Sequence, residues 1–454
     1  MRIFRRQNAE IYTSKDKKKD RTLGIFDLTL LSIGAVIGTG VLVLPGVVAA
    51  TMAGPGEVFS YIIAGIAAFF VVLCYAEFAS SIPSAGGSYT YAYVSLGEIV
   101  GYLVGSTVIV GYIVALALVA NGWASYFYEV LKEFDIVLPL SITTIPSLGG
   151  IINLPAALVI LLMVYILSRG TQESKLFNNA IVLIKLAIIL IFLVIGAFYY
   201  NSENLKVFLP NGISGVFSGA AVLFLAYTGF DVTASAAEET KDPQKTMPKA
   251  LILSITICII TYCLVAIVLV SMVNYGELNQ ADALAYALYK VGQNFGALIL
   301  SIGAILGILS IIFGIAFGVS RMLATLSKDG LVPKIFEKEN KKGVPYIALW
   351  FCGGIGALFA GFIDLNILAN FTSMALLFAY LVVSLGIITF RIHNPKFKRG
   401  FKTPLVPIIP ITSILCCGFL MISLPKETLV YFIIFLVISL IYYFSYSFRH
   451  SKLK

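Results

Sequence analysis

The chain has 454 residues, of which 59% are hydrophobic and 12% charged, and its mean hydropathy is +0.95. Soluble proteins carry about 25% charged residues, so a water-soluble fold is excluded and the expected solvent is lipid. The net charge of +9 would suit nucleic acid, but its distribution, given below, excludes that partner.

A backbone in lipid has to satisfy its own hydrogen bonds, so long apolar blocks read as helices, each needing about 20 residues to cross. Residues 1–24 are polar and basic and read as a tail. The first block, α1 (25–52), is too long for the apolar region of a signal peptide. It is followed by α2 (57–80), α3 (98–130), α4 (151–168), α5 (177–200) and α6 (213–237). Then come α7 (248–273), α8 (292–327), α9 (344–363), α10 (366–390), α11 (404–424) and α12 (428–448), and a short tail, 449–454. The connectors carry turn residues such as Pro83, Gly86, Gly87, Pro210, Pro243, Pro333 and Pro345. The predicted fold class is an all-α integral membrane protein with twelve transmembrane helices.

Twelve crossings put both termini on one side. That side, with its loops, holds 27 of the 32 Lys and Arg residues, eight of them between Arg2 and Arg21; the other side holds Lys132, Lys206, Lys290 and Lys426. The bias places both termini in the cytoplasm, and it accounts for the net charge without a nucleic acid. The six cysteines all fall in apolar blocks, with no metal or disulfide spacing.

The remaining cation is Lys185, in the middle of α5. Nine residues separate it from the start of its helix, about 13 Å at 1.5 Å per residue, which strains any reach to the interface. A charge at that depth costs at least ~2.5 kcal/mol, so the residue is expected to face the protein interior and have a partner. One reading is structural, with the ammonium donating to backbone carbonyls. The other is functional: a proton-coupling site, or a fixed charge replacing a bound cation.

Two helices look interrupted. In α1, SIGAVIGTGVLVLPG sets Gly34, Gly38 and Gly40 within seven residues and adds Pro45. This is either a GxxxG packing face or a break where a ligand approaches the backbone. In α6, AVLFLAYTGFDVTASAAEET interrupts its apolar run at Thr228-Gly229 and follows with Asp231. Paired interruptions in corresponding helices of two five-helix halves point to a solute site near mid-membrane. A broken helix exposes N–H groups on one half, which favour an anion, and carbonyls on the other, which favour a cation. A zwitterion satisfies both. The backbone at Gly38, Thr39 and Gly40 is the candidate for its carboxylate, and carbonyls around Val36, Leu225, Ala226 and Thr228 for its ammonium.

These stretches, with AGPGEVFSY, YAEFASSIPSAGGSYTYAYVSLGE, FLAYTGFDVTASAAEETKDPQKTMPKA and SRMLATLSKDGLVP, resemble the amino acid–polyamine–organocation transporters. Within that superfamily the chain is similar to bacterial members of the cationic amino acid transporter family, branched-chain amino acid permeases above all. The resemblance covers nearly the whole chain. It implies a leucine-transporter-like fold: an inverted repeat of five helices (25–200) and five (213–390), with α1 and α6 discontinuous and α11 and α12 (404–448) outside it. It also implies alternating access in the cell membrane, an amino acid as substrate, and commonly a proton as coupling ion. Lys185 matches the α5 lysine of proton-coupled relatives, whose ammonium stands near an α1 carbonyl matching Gly34 and an α8 hydroxyl matching Ser310. Asp231 matches an acid that helps form the cytoplasmic gate in relatives, or else braces the broken helix. Tyr89, Tyr91 and Tyr93 lie in a segment that folds into the inner gate of relatives, or else form an interfacial aromatic belt.

Two departures bear on the substrate. Relatives that take cationic substrates carry a glutamate in α3 where this chain has Gly111, so no acid is available there for a substrate's side-chain charge. Many relatives place an aromatic gate in α6 where this chain has Leu225, with Phe224 adjacent. Both changes point to neutral apolar amino acids such as Leu, Ile or Val. An exchanger, or a cationic amino acid carrier of the same fold, is the alternative. No cofactor is called for. An enzyme is not expected, since the only histidines are His393 and His450 and no phosphate-binding or zinc motif occurs. A nutrient receptor needs a domain to report binding, and the tails are short.

Overall fold

The computed structural model describes residues 5–12, 21–42, 44–133, 135–279 and 283–452, with the side chain of Thr39 among the few not described. The basic residues Arg2, Lys15, Lys17, Lys18, Lys19 and Lys454, counted in the charge bias, lie outside the described residues. Among the described residues the chain is helical and forms no strand beyond two isolated bridges, Leu23 with Thr240 and Thr143 with Asn153.

Eight helical runs are long and apolar enough to cross a membrane, and four shorter apolar helices accompany them: Ile25–Val36, Leu154–Ser168, Tyr346–Phe362 and Ile408–Ile422. Long helices fall within several of the predicted blocks. α2 is Glu57–Ser81, α3 Glu98–Glu133, α5 Thr171–Phe198, α7 Pro243–Met272, α8 Asn294–Lys328 and α10 Leu365–His393. α12 runs Lys426–Tyr442 and continues to His450 through a wider turn.

The packing follows the apolar pattern outward as well as inward. Leu190, Val194, Phe198, Leu415, Ile422 and Ile438 are exposed on the outer surface, as lipid contact requires. On α5 the inward face is Asn178, Val182, Lys185, Ile189 and Phe192, all buried; this i, i+3/i+4 spacing is one stripe of a helix. Lys185 therefore points into the bundle.

Both interrupted helices break. α1 is helical over Ile25–Val36, turns extended at Ile37 (φ −72°, ψ 110°), and resumes as Thr39–Leu42 and Leu44–Val48. α6 is helical over Gly212–Leu223, tightens over Phe224–Tyr227, becomes extended at Thr228, and resumes as the 3-10 helix Phe230–Glu239. Gly229, at φ +108°, makes the turn, a conformation that side chains resist.

Described residues near the two termini meet at one end of the bundle. The amide of Glu98 donates to Arg5 O at 2.9 Å, and the amide of Lys452 donates to Asp329 O at 3.1 Å. Buried Glu98 accepts from Tyr93 (3.1 Å), Tyr443 (2.9 Å) and Ser451 (2.7 Å). The short helix Ser88–Leu96 packs under this cluster. Its Tyr89, Tyr91 and Tyr93 are buried, and Tyr91 stacks on Phe78 at 5.0 Å. They are packing groups inside the protein, not an aromatic belt facing lipid.

Candidate functional site at the two helix breaks

The breaks interlock through one glycine each. A Cβ on Gly40 of α1 would stand 2.5 Å from Ala226 Cβ and 2.7 Å from Ala226 Cα of α6. A Cβ on Gly229 of α6 would stand 2.8 Å from the Ala35 carbonyl oxygen of α1. The two backbones approach this closely because both positions lack a side chain. Such contact puts the exposed N–H and C=O groups of both breaks in one small region.

Three tyrosines hold the breaks from the side. Tyr262 of α7 donates to Val36 O (3.0 Å) and shares its hydroxyl with Ala226 O (2.9 Å), so one group spans both broken helices. Tyr61 of α2 donates to Gly40 O at 2.8 Å, and Tyr227 donates to Tyr61 O at 2.9 Å. The rings touch, with centroids 5.0 to 6.4 Å apart. The carbonyls expected for a substrate ammonium are thus already acceptors. Val36 O and Ala226 O take the Tyr262 hydroxyl, and Leu225 O takes the hydroxyl and amide of Thr228 at 2.8 and 3.2 Å. A carbonyl has two lone pairs, so an added ammonium would share these oxygens. Sequence reasoning missed the three tyrosines because each is a lone polar tip in an apolar helix.

Lys185 occupies the inner side of the α1 break. Its Nζ lies 2.5 Å from Ile37 O, 3.2 Å from Gly34 O, 3.3 Å from Gly307 O and 2.8 Å from Ser310 Oγ. The Ser310 hydroxyl in turn lies 3.1 Å from Gly34 O and 2.7 Å from Gly307 O. The extended turn at Ile37 frees its carbonyl from the helix, which is why it can face an ammonium. No acid stands among these contacts.

Asp231, one residue into the second half of α6, is buried. Its Oδ1 accepts from Tyr380 at 2.9 Å, and the Tyr380 oxygen accepts from the Gly229 amide at 3.4 Å. These bonds brace the break. Tyr75, Tyr91, Phe230 and Tyr380 form an aromatic layer beside it. Phe224, before the break, is buried, and Leu225 and Thr228 are half-buried. Gly111 sits against α10, where a Cβ would come within 2.7 Å of Ala375 Cβ.

The terminal end is closed below this layer. Leu23 pairs with the end of α6: its amide donates to Glu239 O at 3.0 Å, and the Lys241 amide donates to Leu23 O at 2.9 Å. Buried Arg321 pairs with Glu239 at 2.6 Å and lies 3.4 Å over the Phe317 ring. The Ala85 amide donates to Glu238 Oε1 at 3.2 Å, and Tyr89 donates to Asp329 at 2.7 Å. A small recess beside this closure is lined by Leu23, Asp27, Leu31, Lys175, Asn178, Asn179, Phe313 and Phe317.

Comparison with known proteins gives the same kind of molecule. A family model described as an amino acid permease matches residues 23–446. The methylthioribose transporter of Bacillus subtilis is 43% identical over 99% of both chains. The branched-chain amino acid permease BcaP of the same organism is 40% identical over 99% of both. The cationic amino acid transporter 4 of Mus musculus is 33% identical over 84% of this chain and 61% of its own.

Proposed function

The chain belongs to the amino acid permease family, and from that premise we propose that it is a proton-coupled carrier that takes up neutral apolar amino acids by alternating access. In this reading twelve helices cross the cell membrane with both termini in the cytoplasm. Residues 25–200 and 213–390 form inverted five-helix repeats, and 404–448 adds α11 and α12.

The observation that carries the reading is the position of Lys185 at the α1 break, in contact with α1 and α8 and with no acid beside it among the described residues. A buried ammonium held only by neutral groups has no counter-charge to offset its desolvation. Its proton is therefore one that a change in water access can remove. In the charged form it holds Gly34, Ile37 and Ser310 together, and so keeps the inner half of α1 against α8. Loss of the proton removes the charge from these bonds, which frees α1 to swing and open the terminal side. Substrate binding and proton binding then meet on the same helix.

The substrate zwitterion is placed at the breaks. Its carboxylate takes amides at Gly38, Thr39 and Gly40, and its ammonium takes carbonyls among Val36, Leu225, Ala226 and Thr228. Phe224 and Asp231 stand on the two sides of the α6 break and act as gates. Gly111 leaves no acid for a cationic side chain, and Leu225 supports an apolar pocket. A second reading is favoured by one relative, named as a methylthioribose transporter: the cargo is then a small uncharged thiosugar.

Uptake by purified protein in liposomes tests this, with all twenty amino acids and methylthioribose as competitors, with and without an imposed pH gradient. Leucine, isoleucine or valine as the best competitors, driven by the gradient, fits the proposal. A preference for arginine or lysine, or a strict need for sodium, contradicts it; methylthioribose outcompeting every amino acid selects the second reading.

A further inference from the structure

Among the described residues five acidic side chains are buried: Glu57, Glu77, Glu98, Asp231 and Glu239. Four of them meet donors: Glu77 has Arg391, Glu98 has three hydroxyls, Asp231 has Tyr380, and Glu239 has Arg321. Glu57 has none. It is the first residue of α2, at the end of the bundle away from the termini. It is wholly buried, and neither carboxyl oxygen has a hydrogen-bond partner.

That end of the bundle is shut. The Gly56 amide donates to Phe208 O at 2.9 Å, Ser60 donates to Val216 O at 2.8 Å, and Asn211 donates to Met52 O at 2.8 Å. Neither oxygen of Glu57 is reachable by water, so the site has no room for a hydrated cation. The titratable groups at this end are Tyr61 on the same helix, with Tyr227, Tyr262 and Cys263 around Tyr61, and the exposed pairs Glu203–Lys206 and Glu277–Lys290 on the connectors. Among the described residues no cation pairs with Glu57. The amide end of α2 favours an anion, but a helix terminus is a weak partner compared with direct donors. A bare carboxylate is strongly disfavoured in such a place, whereas the carboxylic acid is tolerated. The ligand that fits is the proton.

We propose that Glu57 is a second proton site, which takes up one proton from the medium as the side away from the termini closes and returns it to that side on reopening. The step converts one carboxylate and one proton into one carboxylic acid, and no other bond changes. The next polar group inward, the Tyr61 hydroxyl, is committed to the Gly40 carbonyl, so the proton leaves by the way it came. Tyr61, one helical turn along α2 from Glu57, links it to the α1 break through Gly40 O, and acid outside favours closure over a bound substrate. The proposal rests on the alternating-access reading above, but it is separate from coupling through Lys185.

The test uses the whole protein in liposomes. Dicyclohexylcarbodiimide, an apolar reagent for protonated carboxyls, is expected to form an adduct at Glu57, read by peptide mass spectrometry. Adduct formation should fall about tenfold per pH unit above the titration point of the group. Glu57→Gln mimics the acid, so its initial uptake rate should lose its dependence on outer pH. Its accumulation under a fixed pH gradient should match the parent chain. Absence of a pH-dependent adduct at Glu57 overturns the proposal, as does an unchanged rate profile in folded Glu57→Gln. If that variant does not reach the membrane, the adduct on the parent chain decides alone. Failure of the Lys185 reading would appear elsewhere, as gradient-driven accumulation by Lys185→Ala.

Discussion

The Nζ of Lys185 lies 2.5 Å from the carbonyl oxygen of Ile37, the residue at which α1 turns from helix to extended chain. An intramembrane cation and a helix break thus form one unit, and each explains the other. The ammonium supplies a donor to a carbonyl that the break leaves without a helical partner, and the break supplies acceptors to a charge that lipid would not tolerate.

Ser310→Ala removes the one side-chain oxygen on Lys185, while three carbonyls remain. A hydrogen bond to a charged group contributes about 1.5–3 kcal/mol. The variant is expected to fold and to transport about tenfold or more less efficiently, with the loss deepening as pH rises because the weakened site holds its proton less well. Initial uptake rates measured across a pH series check this.

Tyr262→Phe takes away the hydroxyl that spans Val36 O and Ala226 O. The phenol has one proton, which the two carbonyls share, so the breaks lose about one neutral bond of mutual support, about 0.5–1.5 kcal/mol. Substrate affinity is expected to fall by up to about tenfold, with the amount of protein in the membrane unchanged. Equilibrium binding to the detergent-solubilised carrier gives the number.

Gly40→Ala and Gly38→Ala should differ. The new methyl at position 40 meets the Ala226 backbone at 2.7 Å, and that backbone cannot yield without moving α6. The methyl at position 38 meets only the end of the Ile311 side chain, which can change rotamer. Transport should be abolished in the first and reduced in the second, as parallel uptake assays with matched expression will show.

Glu77→Gln leaves Arg391 and Arg399, at 2.6 and 3.1 Å from the Glu77 carboxylate, without their shared anion. The Thr403 amide also loses a charged acceptor at 2.7 Å. Breaking a buried pair on one side costs about 3–5 kcal/mol, less where a partner is partly exposed as Arg391 is. A clear drop in thermal unfolding temperature is expected, together with loosening of the 394–407 connector seen by limited proteolysis.

Much of this was legible in the residues. Lys185 stood out because a charge inside an apolar block has to be accounted for, and Thr228-Gly229 because a glycine followed by an acid cannot continue a lipid-facing helix. Local chemistry of that kind survives in one dimension. Tyr61, Tyr227 and Tyr262 did not stand out, since a tyrosine in an apolar helix is unremarkable until its hydroxyl is seen on a distant carbonyl. The Glu77–Arg391–Arg399 cluster was hidden for the same reason: Glu77 lies more than 300 residues from both arginines. Glu57 has nothing to mark it in the stretch AGPGEVFSY, because burial without a partner is a property of the packed bundle. Gly111 was read for the acid it lacks, and its packing against Ala375 is a fact of the third dimension.

In the proposed cycle a proton held at Lys185 drives uptake. The direct measurement is accumulation of radiolabelled leucine in sodium-free proteoliposomes under an imposed inward proton gradient, comparing the parent chain with Lys185→Ala. Gradient-driven accumulation by the parent chain, with none by the variant despite retained substrate binding, is the result predicted. Equal accumulation by Lys185→Ala would contradict it.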